Sequence, residues 1–251
     1  MGKHPLRLTL ITAALNPGPE VAQTIRSVLE QGYPDLQYIF VDGGSSPESF
    51  AHVQPFLPRI DHLIREPDAG ISDAWNKGLA LATGDVIGLI NADDFLLPGA
   101  LRRVAAAFAE LPSMSVVHGN AQRIEGDRRH IRRPMPRLPW AIRIGTPVVH
   151  PATFVAREVY GRVGLFDTRY RVAMDYDFVL RAHLAGARFV HIDETLVGFR
   201  GGGLSDREPL LAFRELRCSQ LEQGLNRPLV EVLHAVRMTV RRVVRPLLGL
   251  G

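Results

Sequence analysis

A single cysteine, Cys218, among 251 residues leaves no partner for an internal disulfide and no thiolate cluster for zinc. Any metal must use oxygen or imidazole ligands, and a reducing compartment is expected. Long apolar runs are also missing. No stretch of about 18 apolar residues occurs, and the N-terminal segment lacks the charged, apolar, small-residue order of a secretory signal. The chain is therefore expected to remain where it is made. Aromatics make up only 7% of it and do not interleave with its basic stretches as base-stacking platforms would, which argues against nucleic acid despite a net charge of +4. The excess charge is concentrated: seven arginines lie between Gln122 and Arg143, and five between Arg227 and Gly251 against the single acid Glu231. Such patches suit an anionic membrane surface or a phosphorylated substrate.

With 46% hydrophobic residues the chain can bury one sizeable core, so one main domain with an appendage is expected. Its first half alternates short apolar runs with helical periods, the pattern of a mostly parallel sheet. Strands are predicted at Leu6 to Thr12, Tyr38 to Val41, Ile60 to Arg65 and Val86 to Ile90. Helices are predicted where Val21, Ile25, Val28 and Leu29 form a stripe, from Ile71 to Ala82, and around Leu101, Val104 and Phe108. Beyond a strand at Val116 to Asn120, the proline- and arginine-rich stretch from Arg123 to Pro147 reads as a long loop. Short elements follow at Ala152 to Ala156, a helix from Asp175 to Ala185, strands at Arg188 to Ile192 and Thr195 to Phe199, and helices only from Asp206.

Carboxylates just past strand ends carry the chemical signal, because open α/β sheets bind ligands outside the carboxyl ends of their strands. Asp42 follows one strand and the Asp93-Asp94 pair another. Asp42-Gly43 is also a common turn. Two adjacent acids after a buried strand repel each other unless a cation or solvent compensates, and hard oxygen ligands suit Mg²⁺ or Mn²⁺ bridging to substrate phosphates. The competing reading is a helix N-cap ahead of Pro98. Arg200, beside Gly201-Gly202-Gly203, could close over a diphosphate or simply form a surface turn. His118 and His150 end short apolar runs, where packing is the ordinary role. Trp75 reads as core.

The succession LTLITAALN, YIFVDGGSS, EPDAGISDAWNKGLALATGDVIGLINADDFLLPGAL, HPATFVAREVYGRVGLFD and MDYDFVLRAHLAGARFVHI resembles family 2 glycosyltransferases, over residues 6 to about 205. The resemblance implies a GT-A fold: an α/β, Rossmann-like, mostly parallel central sheet flanked by helices. It divides the chain into a catalytic domain, 1–205, and a C-terminal helical extension, 206–251, that could associate with membrane. By position, it implies that Asp42 meets the nucleotide base, with Asn16 near base and ribose, and that Asp68 and Asn76 line the donor pocket. Asp93 matches the metal-binding acid of a DxD motif, and Asp94 stands beside it as a second candidate ligand. Asp175 matches the general base, leaving Asp177 as a structural residue. Two positions depart from the pattern: Asn91 replaces the first DxD acid, and Gly43 replaces the second acid of an Asp-Asp-Gly-Ser turn. Asn91 keeps a carbonyl acceptor at the donor site but brings no charge.

The implied activity is inverting transfer of a sugar from a nucleoside diphosphate sugar, with UDP expected, to an acceptor hydroxyl in cell-surface polysaccharide or glycolipid synthesis, using Mn²⁺ or Mg²⁺. Expected partners are the donor, a saccharide or lipid-linked saccharide acceptor and an anionic membrane surface, with no nucleic acid. The expected location is cytoplasmic, peripheral on the inner face of the cell membrane. A sugar nucleotidyltransferase and a non-catalytic nucleotide-sugar-binding module are the alternatives. The first lacks its early glycine-rich, basic triphosphate loop here, and Asp175 argues against the second. Finally, Leu229, Leu233, Val236, Val240, Val243, Val244 and Leu247 share one face of a terminal helix, with Arg237, Arg241, Arg242 and Arg245 on its flank and opposite side. That face could pack on the domain or lie in a membrane interface.

Overall fold

The computed structural model describes residues 6–134, 139–145 and 147–244. In chain order it runs β1 (Leu8–Ala14), α1 (Val21–Leu29), β2 (Leu36–Asp42), α2 (Pro47–Phe50), β3 (His62–Arg65), α3 (Ile71–Leu81), β4 (Val86–Asn91), β5 (Phe95–Leu96) and α4 (Ala100–Phe108). There follow β6 (Ser115–Glu125), β7 (Arg128–Arg132), β8 (Thr153–Ala156), α5 (Arg157–Val163), α6 (Met174–Leu184), β9 (Arg188–Arg200), α7 (Leu204–Arg207), α8 (Pro209–Glu222) and α9 (Arg227–Thr239).

These strands form one sheet in the order β3-β2-β1-β4-β8-β6-β9-β5, with β7 beside β6. β1 to β4 are parallel, β8 is antiparallel to both β4 and β6, and β6 and β9 are again parallel. All seven residues of β1 are buried, as a strand covered on both faces requires. Helix α1 turns Val21, Ile25 and Val28 of its predicted stripe inward, and α3 buries Trp75, the residue read as core, together with Leu79. A second small core, containing Ile142, Val148, Tyr176, Val179, Leu180 and Leu216, joins α6 to α8.

Two expectations about the second half are corrected. The stretch after Arg123 is not all loop: β6 continues to Glu125 and returns as β7, pairing Glu125 with Arg128 through Ala121 with Arg132. Gly126, at φ 58°, makes the turn possible, and every residue of β7 is exposed. Since β7 is an edge strand loaded with arginine, it shows no apolar alternation. Residues 135–138 and 146 of that stretch lie outside the described set. The two strands predicted between Arg188 and Phe199 are one strand, β9, whose pairing with β6 shifts register between His118 and Asn120.

At this irregularity His118 stacks on His191, ring centroids 5.3 Å apart, and the buried His118 Nδ1 has no hydrogen-bond partner among the described residues. Burial, assisted by the charge of His191, lowers the His118 pKa to about 4 from an ordinary 6.5. The unfolded chain therefore binds the extra proton first on acidification. The stability contributed by neutral His118 is intact above pH 6.5 and is lost as pH falls from 6.5 to about 4. His118→Phe is expected to remove that slope, worth at most about 3 kcal/mol. Urea unfolding at pH 7 and at pH 4.5 measures it; equal slopes for both proteins would exclude His118 as its source.

Candidate active site

The register aligns the strand ends that bear polar groups. Ala14 pairs with Asp42, Ala13 with Asn91 and Asp42 with Arg65, so the carboxyl ends of β1 to β4 form one rim. On that rim the fully buried Asp42 accepts from the Ser45 backbone N–H at 3.3 Å and from Arg65 Nε at 3.1 Å. Arg65 also donates to the Ser45 carbonyl and lies 4.0 Å over the Phe50 ring. Asn16, in the left-handed region at φ 48°, completes the turn: its N–H donates to Ser45 Oγ, and its side-chain carbonyl accepts from the Ser46 N–H. Asparagine tolerates that backbone better than most residues.

At Gly43 a Cβ would stand 2.3 Å from Asp68 Oδ2, the end of a side chain that would have to move aside, so the absence of a side chain lets the Asp68 carboxylate lie here. Asp68 is therefore brought against the Asp42–Ser45 turn, with Oδ1 held by the Gly70 N–H. Asn76 is placed differently. Its amide clamps the backbone of Phe166, donating to the carbonyl at 2.8 Å and accepting from the N–H at 2.9 Å, which ties α3 to the segment before α6.

The adjacent acids after β4 have opposite surroundings. Asp93 is exposed, whereas Asp94 is buried and accepts from Asn91 Nδ2 at 3.0 Å. Burial, then the charge of Asp93, raises the Asp94 pKa to about 7 against the pull of Asn91, the Arg200 backbone N–H and the Arg200 guanidinium. Asn91 thus supplies a donor that an aspartate could not. Arg200, at the end of β9, also donates to Gln23 on α1 at 2.9 Å, and both line an open cleft of roughly 640 Å³ with Arg129 and Gly201.

Among the described residues no three His, Cys, Asp or Glu side chains converge as a closed metal cage. The donor set still fits a hard divalent ion shared with a phosphate, because such ions take one or two carboxylates and complete their shell with substrate oxygens and water. Asp93 would be the charged ligand and Asn91 Oδ1 a neutral one, while Asp94 is already engaged.

Asp175 opens α6. Its Oδ1 accepts from the Tyr176 N–H at 2.7 Å, and it lines a mostly apolar cavity with Leu89, His150, Thr153 and Phe178. His150 stacks on Trp75 at 4.7 Å, and its buried Nε2 has no partner among the described residues. Burial lowers the His150 pKa against an opposing pull from Asp175. Asp177 points elsewhere, bonded to Arg181 Nε and Ser219 Oγ at 2.8 Å each. The segment before α6 is held by Glu215 of α8, which accepts from the N–H groups of Arg171, Val172 and Ala173. Sequence reasoning singled out neither Arg65 nor Glu215. Arg65 carried one signal, its position at the end of a strand neighbouring Asp42.

A parallel sheet with an acid-bearing rim, closed on one side by a mixed half that carries a separate acid, defines a GT-A glycosyltransferase. The family model for glycosyl transferase family 2 matches residues 9–166, and the chain belongs to that family. A PGL/p-HBAD biosynthesis glycosyltransferase of Mycobacterium bovis is 32% identical over 192 residues, 73% of each chain. The fold also matches Staphylococcus aureus TarS in complex with UDP-GlcNAc at TM-score 0.70 and 15% identity, covering 94% of this chain and 73% of that one. The mannosyltransferase PcManGT of Pyrobaculum calidifontis, in complex with GDP-Man and Mn²⁺, matches at TM-score 0.69 and 19% identity, covering 96% and 71%. This chain spans 43% of a longer TarS chain.

Proposed function

We propose that the enzyme transfers a sugar, with inversion, from a nucleoside diphosphate sugar, with UDP as the favoured carrier, to an acceptor hydroxyl. The observation that carries this reading is the contrast between two acids. Exposed Asp93 stands just past the end of β4 beside buried Asp94, whereas Asp175 lines a mostly apolar cavity at the start of α6. Mn²⁺ or Mg²⁺, when bound, would offset the charge that builds on the departing diphosphate. Asp93 and Asn91 would hold that ion at the diphosphate end of the donor, Arg200 adds a fixed positive charge, and Asn16, Asp42 and Asp68 shape the nucleoside end. Asp175 takes the proton of the acceptor hydroxyl as it attacks from the opposite face of the sugar. Asn76 acts in this scheme by fixing α3 to Phe166.

The acceptor we favour is a cell-surface saccharide or lipid-linked saccharide, reached from the cytoplasmic face of a membrane. Arginines such as Arg129 beside the Arg200 cleft suit a phosphorylated acceptor, and one relative is named a PGL/p-HBAD biosynthesis glycosyltransferase. Incubation with a panel of nucleotide sugars should release nucleoside diphosphate, and more with Mn²⁺ than with chelator. Release of pyrophosphate would identify a nucleotidyltransferase, and binding without release a non-catalytic module. Asp93→Ala is expected to weaken Mn²⁺-dependent donor affinity by about tenfold or more in calorimetry, and unchanged affinity would remove Asp93 from the metal site.

A further inference from the structure

Helix α9 carries apolar residues on its outward side as well as its inward one. Inward, Val230, Leu233 and Met238 share the face with Glu231, His234 and Arg237; Arg237 donates to the Ile144 carbonyl, and Glu231 is gripped by Arg217 of α8 at 2.8 and 2.5 Å. Val230 is its one fully buried apolar residue. The side facing water carries Pro228, Leu229, Val232, Ala235, Val236, Thr239 and Val240, with no charge among them. Leu229, Val232, Val236 and Val240 are 52%, 60%, 54% and 43% exposed. At 1.5 Å per residue the stripe is about 16 Å long. An apolar strip of that kind costs solubility and marks a surface that is covered in use.

The charges beside the stripe select what covers it. Arg227 and Arg242 are exposed at its two ends and Arg241 is half-buried on its flank, while the helix's only acid, Glu231, is already occupied by Arg217. If a second copy covered the stripe, arginines would meet arginines in either a parallel or an antiparallel pairing, with no free acid to offset them. An anionic lipid surface reverses that balance, because the apolar row enters the acyl boundary while the arginines meet headgroups. The sequence continues past residue 244 as RPLLGLG, with one further cation and three leucines, outside the described residues.

We propose that the outward face of α9, Leu229, Val232, Val236 and Val240 between Arg227 and Arg242, is the surface by which the enzyme docks on an anionic bilayer. This rests on the reading that the acceptor is lipid-linked, and it assigns the contact to a particular helix face. It also separates Arg237 from the lipid-facing arginines, because that side chain is turned into the protein.

The test is co-sedimentation of the full chain with vesicles of phosphatidylcholine alone or mixed with phosphatidylglycerol. Wild type is expected to bind the mixed vesicles and to release at high salt. Val232→Asp with Val236→Asp should lower binding about tenfold or more, at unchanged melting temperature and unchanged nucleoside diphosphate release in solution. Arg241→Glu with Arg242→Glu should weaken binding to mixed vesicles only. Equal sedimentation of wild type and the aspartate variant, or none by either, would overturn the proposal. So would a lowered melting temperature, or a wild-type dimer that the variant converts to monomer without any vesicle binding. Failure of the glycosyltransferase reading would appear separately, as absent nucleoside diphosphate release by wild type.

Discussion

Asp175→Asn is expected to lower sugar transfer by about 10²-fold or more while leaving donor-nucleotide affinity within about twofold. The asparagine carbonyl can still accept from the Tyr176 N–H, so the first turn of α6 keeps its geometry. Asp177 stays bonded to Arg181 and Ser219, and Glu215 still holds the preceding backbone, so the fold has no reason to change. What disappears is the proton acceptor. The nearest candidate to replace it is His150, which lines the same cavity, but burial lowers its affinity for a proton and makes it a weak base. Any residual transfer should therefore fall further in the Asp175→Asn, His150→Ala double variant. Single-turnover transfer and donor binding, measured on the same preparations, separate the two quantities. Parallel losses in both would show that Asp175 builds the donor pocket instead of acting on the acceptor.

Asp42, Asp93 and Asp94 were legible in the sequence because the rule that finds them is local: a buried apolar strand ends, and a carboxylate follows; Asp68 and Asp175 were legible only through the family resemblance. Their different fates were not. The guanidinium beside Asp94 comes from Arg200 at the far end of β9, and the carboxylate facing Gly43 comes from Asp68. The reading of Asn91 as an uncharged acceptor at the donor site did not include its use as a donor to Asp94, which shows only when both side chains are placed. Glu215 gave no signal at all, since its partners are backbone N–H groups of a segment more than 40 residues upstream.

The fold was read most accurately where both faces of each element are decided by burial. The predicted helix from Ile71 to Ala82 is Ile71–Leu81, and the strand from Val86 to Ile90 is Val86–Asn91. Accuracy fell at the sheet edge, where β7 pairs through its backbone and offers water only charged side chains. At α9 the apolar period was visible, but a period does not say which side meets the protein. Of the expected face, Leu229, Val236 and Val240 are exposed, joined by Val232, whereas Leu233 is half-buried on the side where Arg237 and Glu231 find their partners.

Glu215→Ala is expected to destabilise the protein by roughly 3 kcal/mol, because buried donors left without an acceptor cost about 1–3 kcal/mol each and water can reach only some of them. In wild type one nearly buried carboxylate accepts from three successive backbone groups, Arg171 at 3.0 Å and Val172 and Ala173 at 2.8 Å. Ala173 is the residue from which α6 starts, and it makes no side-chain cap of its own. Glu215 therefore acts as a cap supplied by another helix, and its negative charge also suits the positive end of α6. For a chain of this size the loss corresponds to a fall in melting temperature of about 10 °C. Asp175 lies two residues past Ala173, so loosening this turn should reduce turnover more than donor affinity, whose residues sit on the β1 to β4 rim. Glu215→Gln, which keeps one acceptor oxygen but turns an amide N–H toward the remaining donors, should fall between wild type and alanine on both scales. Calorimetric melting, kcat and donor affinity together test the assignment. An alanine variant that melts and turns over like wild type would show that the Arg171–Ala173 turn holds itself, and that α8 contributes nothing to placing the base.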